Sequence, residues 1–303
     1  MALVMGTQMI ADSISPIAGS YIAQDLGWRW SILLAGIVFG FFSFLLLVVY
    51  RETCAVIILK RKAKRLQKER DGKQYRSKHQ ARVDATTIIE SVMKPLHILI
   101  QSPILMLTTS HMTIKYALVS LILAKITETM ESTYPNVFSC GSIGLTFLTL
   151  AIGNTIALNF YSLTSDRYMI HLQKKKGEAF EAESRLIHLL LTAIILPMGV
   201  LIYGWSSEFQ VQYIVPLIGT TVAGSSMTLS TIPIEIYVVD VYKIHASSAI
   251  GAGVIFHASA GAFLALTDPP LYQGFGYSWS NSVLALIVAL FIPPLGLLMR
   301  YGD

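Results

Sequence analysis

Eight apolar runs, each close to the length needed to cross a bilayer, restrict what this chain can become more than any other feature. They lie near residues 3–24, 30–50, 103–127, 141–163, 186–205, 211–238, 246–267 and 279–299. A hydrocarbon core of about 30 Å needs roughly 20 apolar residues in a helix, and a backbone in lipid must satisfy its own hydrogen bonds. The expectation is an all-α membrane protein, a bundle of about eight transmembrane helices. Composition agrees, with 53% of the 303 residues hydrophobic, 14% charged and a mean hydropathy of +0.58. That balance disfavours a soluble enzyme, a nucleic-acid binder and a disordered chain. No basic region precedes the first run and no clear small-residue cleavage site follows it. A secretory signal peptide is therefore not expected, and the chain is expected to start inside a spanning helix.

The net charge of +5 is distributed in a way that orients the bundle. Of the 23 lysines and arginines, all but Arg29, Lys115 and Lys125 lie in residues 51–95, in residues 164–185, in the 239–245 turn or at the C-terminus. With eight spans these segments share one side, and the positive-inside rule makes that side the cytosol. Cys54 and Cys140 then fall on opposite sides, which excludes a disulfide between them. For the basic stretch from Glu52 to Arg82 two readings stay open: a helix lying on the anionic inner leaflet, gaining about 1 kcal/mol per nearby cation, or a solvated linker.

Ionisable residues inside the apolar runs are the candidate functional groups, because a charge at the bilayer centre costs about 2.5–3.5 kcal/mol even on the lenient insertion scale. Lys115 stands about twelve residues into its run, near the midplane at about 1.5 Å per residue. His111 precedes it by one turn on the same face. The pair either lines an aqueous path or is held structurally by neighbours; Lys125, nearer the outer end, is expected to snorkel. Asp12 and Glu235 are read as proton-exchanging carboxylic acids. Asp240 and Lys243 are read as a boundary ion pair that fixes helix ends. His257, between Gly253 and Gly261, is expected to face a helix contact or a cavity, as a proton relay or as a packing histidine. Asn154, Asn159 and the Gly219–Ser226 cluster read first as interhelical hydrogen bonds and close packing, with ligand contact as the alternative. The seven histidines include no pair three to five residues apart. Neither a phosphate-cradling glycine loop nor a nucleophile elbow occurs. No enzyme activity, metal or cofactor is expected.

Several stretches resemble the major facilitator superfamily, in particular its twelve-span fungal drug:proton antiporter branch. The antiporter motif of that branch spaces Gly-x8-Gly-x3-Gly-Pro-x2-Gly-Gly along one helix. At that spacing this chain has Ala2, Ala11, Ser15, Pro16, Gly19 and Ser20, all small around the proline. "YIAQDLGWRWSILLAG" and "RETCAVIILKRKAKRLQKE" are similar to the turn and loop that follow. "SLTSDRY" is similar to a cytosolic gating motif, with Ser162 where the family has glycine, so Asp166 and Arg167 are expected to clamp helix ends. The segment containing "IPIEIYVVDVY" and "IGAGVIFHASAG" is similar to the later helices, with Glu235 and His257 where the family suggests glutamine and arginine.

The resemblance implies that residues 1–50 are the last two helices of an N-terminal half, 51–95 a basic cytosolic central loop, and 96–303 the C-terminal six-helix half, with the first four family helices missing. It implies proton-coupled export of small organic molecules such as drugs, toxins or secondary metabolites at the plasma membrane. The partners implied are that substrate, protons and membrane lipid, together with a missing N-terminal segment or partner chain. A truncated non-transporting remnant and an importer of nutrients or polyamines are the alternatives. Tyr116, Tyr134 and Tyr237 suit either flat ligands or the aromatic belts of the interface.

Overall fold

The computed structural model describes residues 2–49, 58–59, 62–63, 65, 102–135, 137, 142–176, 187–242, 246–266 and 268–301. Within these, the side chains of 2–13, 165–176, 187, 248, 265, 268–271, 273 and 298–301 lie outside the description. The helices are α1 (Ala2–Leu26), α2 (Trp28–Val49), α3 (Pro103–Thr133), α4 (Leu148–Lys176), α5 (Ile187–Glu208), α6 (Ile214–Tyr242), α7 (Ala246–Leu266), α8 (Asp268–Ala289) and α9 (Ile292–Tyr301). A 3₁₀ segment, Ser142–Phe147, leads into α4.

The protein is an all-helical, multi-pass membrane bundle. Among the described residues six helical stretches are long and apolar enough to cross a membrane, and Ala249–Leu264 is a shorter apolar helix. Local chemistry sets the ends. Ser102 caps α3 by accepting the Leu105 N–H at 3.3 Å, and Pro103 occupies the first turn, where no amide partner is needed. The 31 residues of α3 extend about 45 Å at 1.5 Å each, so its end, with Glu128 and Glu131, projects beyond the hydrocarbon. There Lys125 pairs with Glu128 at 2.6 Å.

Two runs differ from expectation in length. The helix expected over 141–163 continues to Lys176, because no glycine or proline lies between Leu163 and Lys176; charge alone does not stop a helix. The run expected over 279–299 is broken at Leu290 and Phe291 and restarts as α9. Pro293 and Pro294 cannot donate within a continuing helix but fit the first turn of a new one. A second interruption lies inside α8, where Gly276 takes φ 73°.

The chain divides into two compact units, Met1–Gly27 with Pro95–Asp303, and Trp28–Lys94. The first contains α1 and α3–α9. In it α1 packs on the 3₁₀ segment and on α4, α6 packs between α5 and α4, and α7 packs along α3. Small residues permit these crossings. A Cβ at Gly153 would stand 2.2 Å from the Thr221 carbonyl oxygen, and one at Gly219 2.6 Å from the Tyr203 amide nitrogen. The helix axes approach so closely there that glycine is required. The second unit is represented by α2, in which no residue is buried, and by a few helical positions, Ile58, Leu59, Lys62, Ala63 and Arg65. The remainder of the basic stretch, Cys54 and Cys140 lie outside the described residues.

Candidate functional site, an inner cavity among four helices

Four helices of the first unit surround a cavity of about 440 Å³. Each contributes one stripe at helical spacing. From α3 come Leu105, Thr109, Met112 and Tyr116; from α4, Asn154; from α6, residues between Met227 and Val238 that include Thr228, Thr231 and Glu235; from α7, residues between Ala249 and His257. The size is that of a small-molecule pocket, and the lining is the usual mixture of apolar walls with few polar groups.

The polar groups are differently committed. Thr228 Oγ1 donates to Asn154 Oδ1 at 2.9 Å and ties α6 to α4. Thr231 Oγ1 donates back to the Met227 carbonyl of its own helix at 2.9 Å. The half-buried carboxylate of Glu235 has no hydrogen bond or ion pair among the described residues, and neither does the amide nitrogen of Asn154. The His257 imidazole lies against the Tyr116 ring, with centroids 4.9 Å apart. One carboxylate, one imidazole and one amide thus remain for a ligand or for water. Among the described residues no three His, Cys, Asp or Glu side chains gather to hold a metal.

Sequence-derived candidates separate into those at the cavity and those elsewhere. Asn154, Glu235 and His257 line it together. Lys115 and His111 lie outside the lining, 0% and 1% exposed. The Lys115 amine donates to the Ser226 carbonyl and to Ser230 Oγ. These residues are one helical turn apart, so both present oxygen to α3, and the buried amine has two oxygen partners, neither of them a carboxylate. Lys115 is accordingly a tie between α3 and α6. His111 lies against Phe291 at 5.7 Å, and its buried Nε2 has no hydrogen-bond partner among the described residues.

On α1, Pro16, Ile17 and Ser20 meet the 3₁₀ segment. A Cβ at Gly144 would stand 2.1 Å from Ser20 Oγ and 3.0 Å from the Pro16 carbonyl oxygen. Gly19 has open space where its Cβ would be, and Ser15 is exposed. The glycine that allows close approach is therefore on the opposing element. The side chains of Ala11, Asp12, Asp166 and Arg167 lie outside the description, although all four positions are helical. Asp240 is exposed near the end of α6, and Lys243, its expected partner, lies outside the described residues.

Sequence reasoning missed Thr109, Thr228 and Thr231 as wall residues and missed the pairing of Tyr116 with His257. The signal was present: Leu105, Thr109, Met112 and Tyr116 recur at the three- and four-residue steps of one helix face, and so do Thr228, Thr231 and Glu235. Of the other tyrosines, Tyr237 is buried in the core and Tyr134 donates to the Val211 carbonyl at the end of α3.

Comparison with known proteins places this arrangement. Residues 1–266 match the Major Facilitator Superfamily. The chain is 33% identical over 298 residues to the MFS-type transporter hepF of Aspergillus oryzae, covering 98% of this chain and 60% of that protein. It is 34% identical over 286 residues to the MFS-type transporter penM of Penicillium rubens, covering 94% and 56%. It is 32% identical over 300 residues to the efflux pump radE of Floropilus chiversii, covering 97% and 55%. The chain therefore spans between 55% and 60% of the length of these relatives.

Proposed function

Because this chain belongs to the major facilitator superfamily, we propose that it serves in proton-coupled export of small amphipathic organic molecules, such as drugs, toxins or secondary metabolites, across the plasma membrane. The observation that carries this reading is Glu235, a carboxylate without a partner among the described residues, on the wall of a cavity among four apolar helices. An ionisable group at such a place is costly unless it faces water or exchanges its proton. Glu235 and His257 take up and release the coupling proton in this account, and Asn154 orients the cargo through its amide. Export is favoured over import because radE, a relative matched over nearly the whole chain, is named an efflux pump.

The domain reading follows the family. Residues 1–50 supply the last two helices of an N-terminal half, 51–95 a basic cytosolic loop and 96–303 a six-helix half. Families of this kind move substrate by rocking repeats about a central site. The contact of Pro16, Ile17 and Ser20 with Gly144 is the seam at which α1 bears on the later helices. Asp166 and Arg167 act as a clamp at the cytosolic end of α4, and Asp12 is a further proton site on α1. Lys115 acts from behind the wall by holding α3 against α6 through Ser226 and Ser230, and His111 lies behind the wall against Phe291.

A retention assay tests this reading. The chain and its Glu235→Gln variant are expressed in cells lacking other pumps and loaded with fluorescent amphipathic dyes at outside pH values below and above that of the cytosol. Wild-type cells should retain less dye than vector cells, more so with acid outside, and the variant should lose about tenfold in efflux rate, the effect of about 1.4 kcal/mol on the barrier. Equal retention in vector, wild-type and variant cells at matched membrane expression contradicts it.

A further inference from the structure

The cavity is lined by polar groups at two levels. Thr228 fixes the first, because its hydroxyl bonds Asn154 of α4 at 2.9 Å. Tyr116 belongs to the same level: the amine of Lys115, its neighbour on α3, reaches Ser226 and Ser230, the positions on either side of Thr228. His257 joins it from α7, its ring 4.9 Å from that of Tyr116. Glu235 comes seven residues after Thr228 on α6, two turns and roughly 10 Å along the helix axis. Here α3 runs antiparallel to α6, since Leu105 and Met112 share a buried cluster with Ile234, Tyr237 and Val238. Thr109, two turns before Tyr116, therefore falls toward the level of Glu235. Between the levels the Thr231 hydroxyl is already donated to the Met227 carbonyl, and Met112 and Ile232 are apolar.

The first level is the inner one. The lining stops at Tyr116 on α3 and at Met227 on α6, and past them Leu118, Leu121, Ile122 and Ala223 lie in a buried core. Tyr116, Asn154 and His257 are half-buried. Among the described residues the Tyr116 hydroxyl, the Asn154 amide nitrogen and the His257 imidazole nitrogens have no hydrogen-bond partner. Two aromatic rings and an amide, from three helices, thus share one level with their polar atoms uncommitted. Glu235, at the other level, is the one Asp, Glu, Lys or Arg side chain among the described residues of the lining.

We propose that the inner level is the recognition end of the cavity, and that it takes a neutral, planar, unsaturated ring with a hydroxyl or carbonyl on its edge. The ring lies against Tyr116 and His257, and the edge oxygen meets the Asn154 amide. A saturated ring forfeits the aromatic contact. A ring without the oxygen leaves the amide and the phenol desolvated and unpaired. A carboxylate on the cargo finds no cation in the lining and meets a like charge at Glu235. Two turns away, Glu235 does not hold the ring and stays free for the proton. This deepens the proposed function and rests on the cavity being the cargo site.

Equilibrium binding to the full chain in lipid nanodiscs, with binding to empty nanodiscs subtracted, tests the recognition end. The probes are similar in size: 2-naphthol, naphthalene, 2-decalol and 2-naphthoate. 2-Naphthol should bind tightest, and losing the hydroxyl, losing planarity or carrying the carboxylate should each weaken binding about tenfold, the scale on which one pocket contact discriminates. Asn154→Leu should remove the preference for 2-naphthol over naphthalene, and Tyr116→Leu the preference over 2-decalol, which Tyr116→Phe should keep. Glu235→Gln should slow dye efflux yet preserve the rank order of the three neutral probes. The probe series on the unmodified chain decides the cargo class even where a variant does not fold. Naphthalene or 2-decalol binding as tightly as 2-naphthol overturns the proposal, as does a hydroxyl preference that survives Asn154→Leu or disappears in Glu235→Gln. Dye efflux without probe selectivity defeats the recognition end alone. Selective probe binding without efflux leaves it standing and defeats the transport reading.

Discussion

Two helices of this chain, α2 and α6, distribute polarity in opposite ways. Between Trp28 and Val49, α2 is dominated by Leu, Ile, Val and Phe, and none of its residues is buried; Phe39 and Leu47 are 77% and 83% exposed. Between Ile214 and Tyr242, α6 carries glycine, serine and threonine, and it buries several of them, among them Gly219, Thr220, Ser226, Thr228 and Ser230, beside apolar residues such as Leu229 and Ile234. In water the first helix would aggregate and the second would turn its hydroxyls outward. In lipid the order reverses, because association between helices gains nothing from sequestering apolar surface and depends on close backbone approach and interhelical hydrogen bonds. The polar residues of α6 do both: its glycines admit α5 and α4, and its hydroxyls and carbonyls hold Asn154 and Lys115.

Substitutions can break that contrast or sharpen it. The largest effect is expected where bulk is added at a crossing. Gly153→Leu puts a side chain onto the Thr221 carbonyl and should cost about 3 kcal/mol or more, seen as loss of the monodisperse peak in detergent chromatography. Gly36→Leu and Gly40→Leu in α2, where nothing lies within 4 Å, should elute as wild type. Phe39→Arg, halfway along α2, should reduce membrane insertion by about 2.5–3.5 kcal/mol in a glycosylation-reporter assay, and Phe39→Leu should leave it unchanged. Lys115→Ala removes the tie to Ser226 and Ser230 and opens a void, so it should lower unfolding stability by about 2 kcal/mol; Lys115→Met keeps the volume and should recover most of this. Thr228→Val deletes one interhelical hydrogen bond and should cost about 1 kcal/mol, read as a small fall in thermal midpoint.

Most of the fold could be read from the residues, since a run of about twenty apolar side chains has few alternatives in a bilayer. What the residues alone leave open is local. Depth along a helix is set by residue count, but the direction a side chain points depends on neighbours that no count supplies. Lys115 reads from the sequence as a midplane residue that either lines an aqueous path or is held by neighbours, and its amine meets Ser226 and Ser230. Glu235, His257 and Asn154 were singled out separately, as charge, glycine-flanked histidine and packing amide, and only tertiary packing brings them to one cavity. Of the small-residue motif on α1, Pro16 and Ser20 meet Gly144, far along the chain, while Gly19 faces open space. Charged residues did not end α4, which runs on through Arg167 to Lys176, whereas Pro293 and Pro294 mark where α9 begins.

The account depends on α6 and α7 presenting polar groups that water reaches, in contrast to the apolar face of α2. Thiol accessibility measures this directly, in a background with Cys54→Ser and Cys140→Ser. Single cysteines are introduced by Glu235→Cys, His257→Cys and Phe39→Cys, and each protein is treated in sealed vesicles with a charged, membrane-impermeant methanethiosulfonate reagent. Rapid modification at positions 235 and 257, with none at 39, is the predicted result. Silence at 235 and 257 on both faces of the membrane, alongside full reactivity of the unfolded protein, contradicts it.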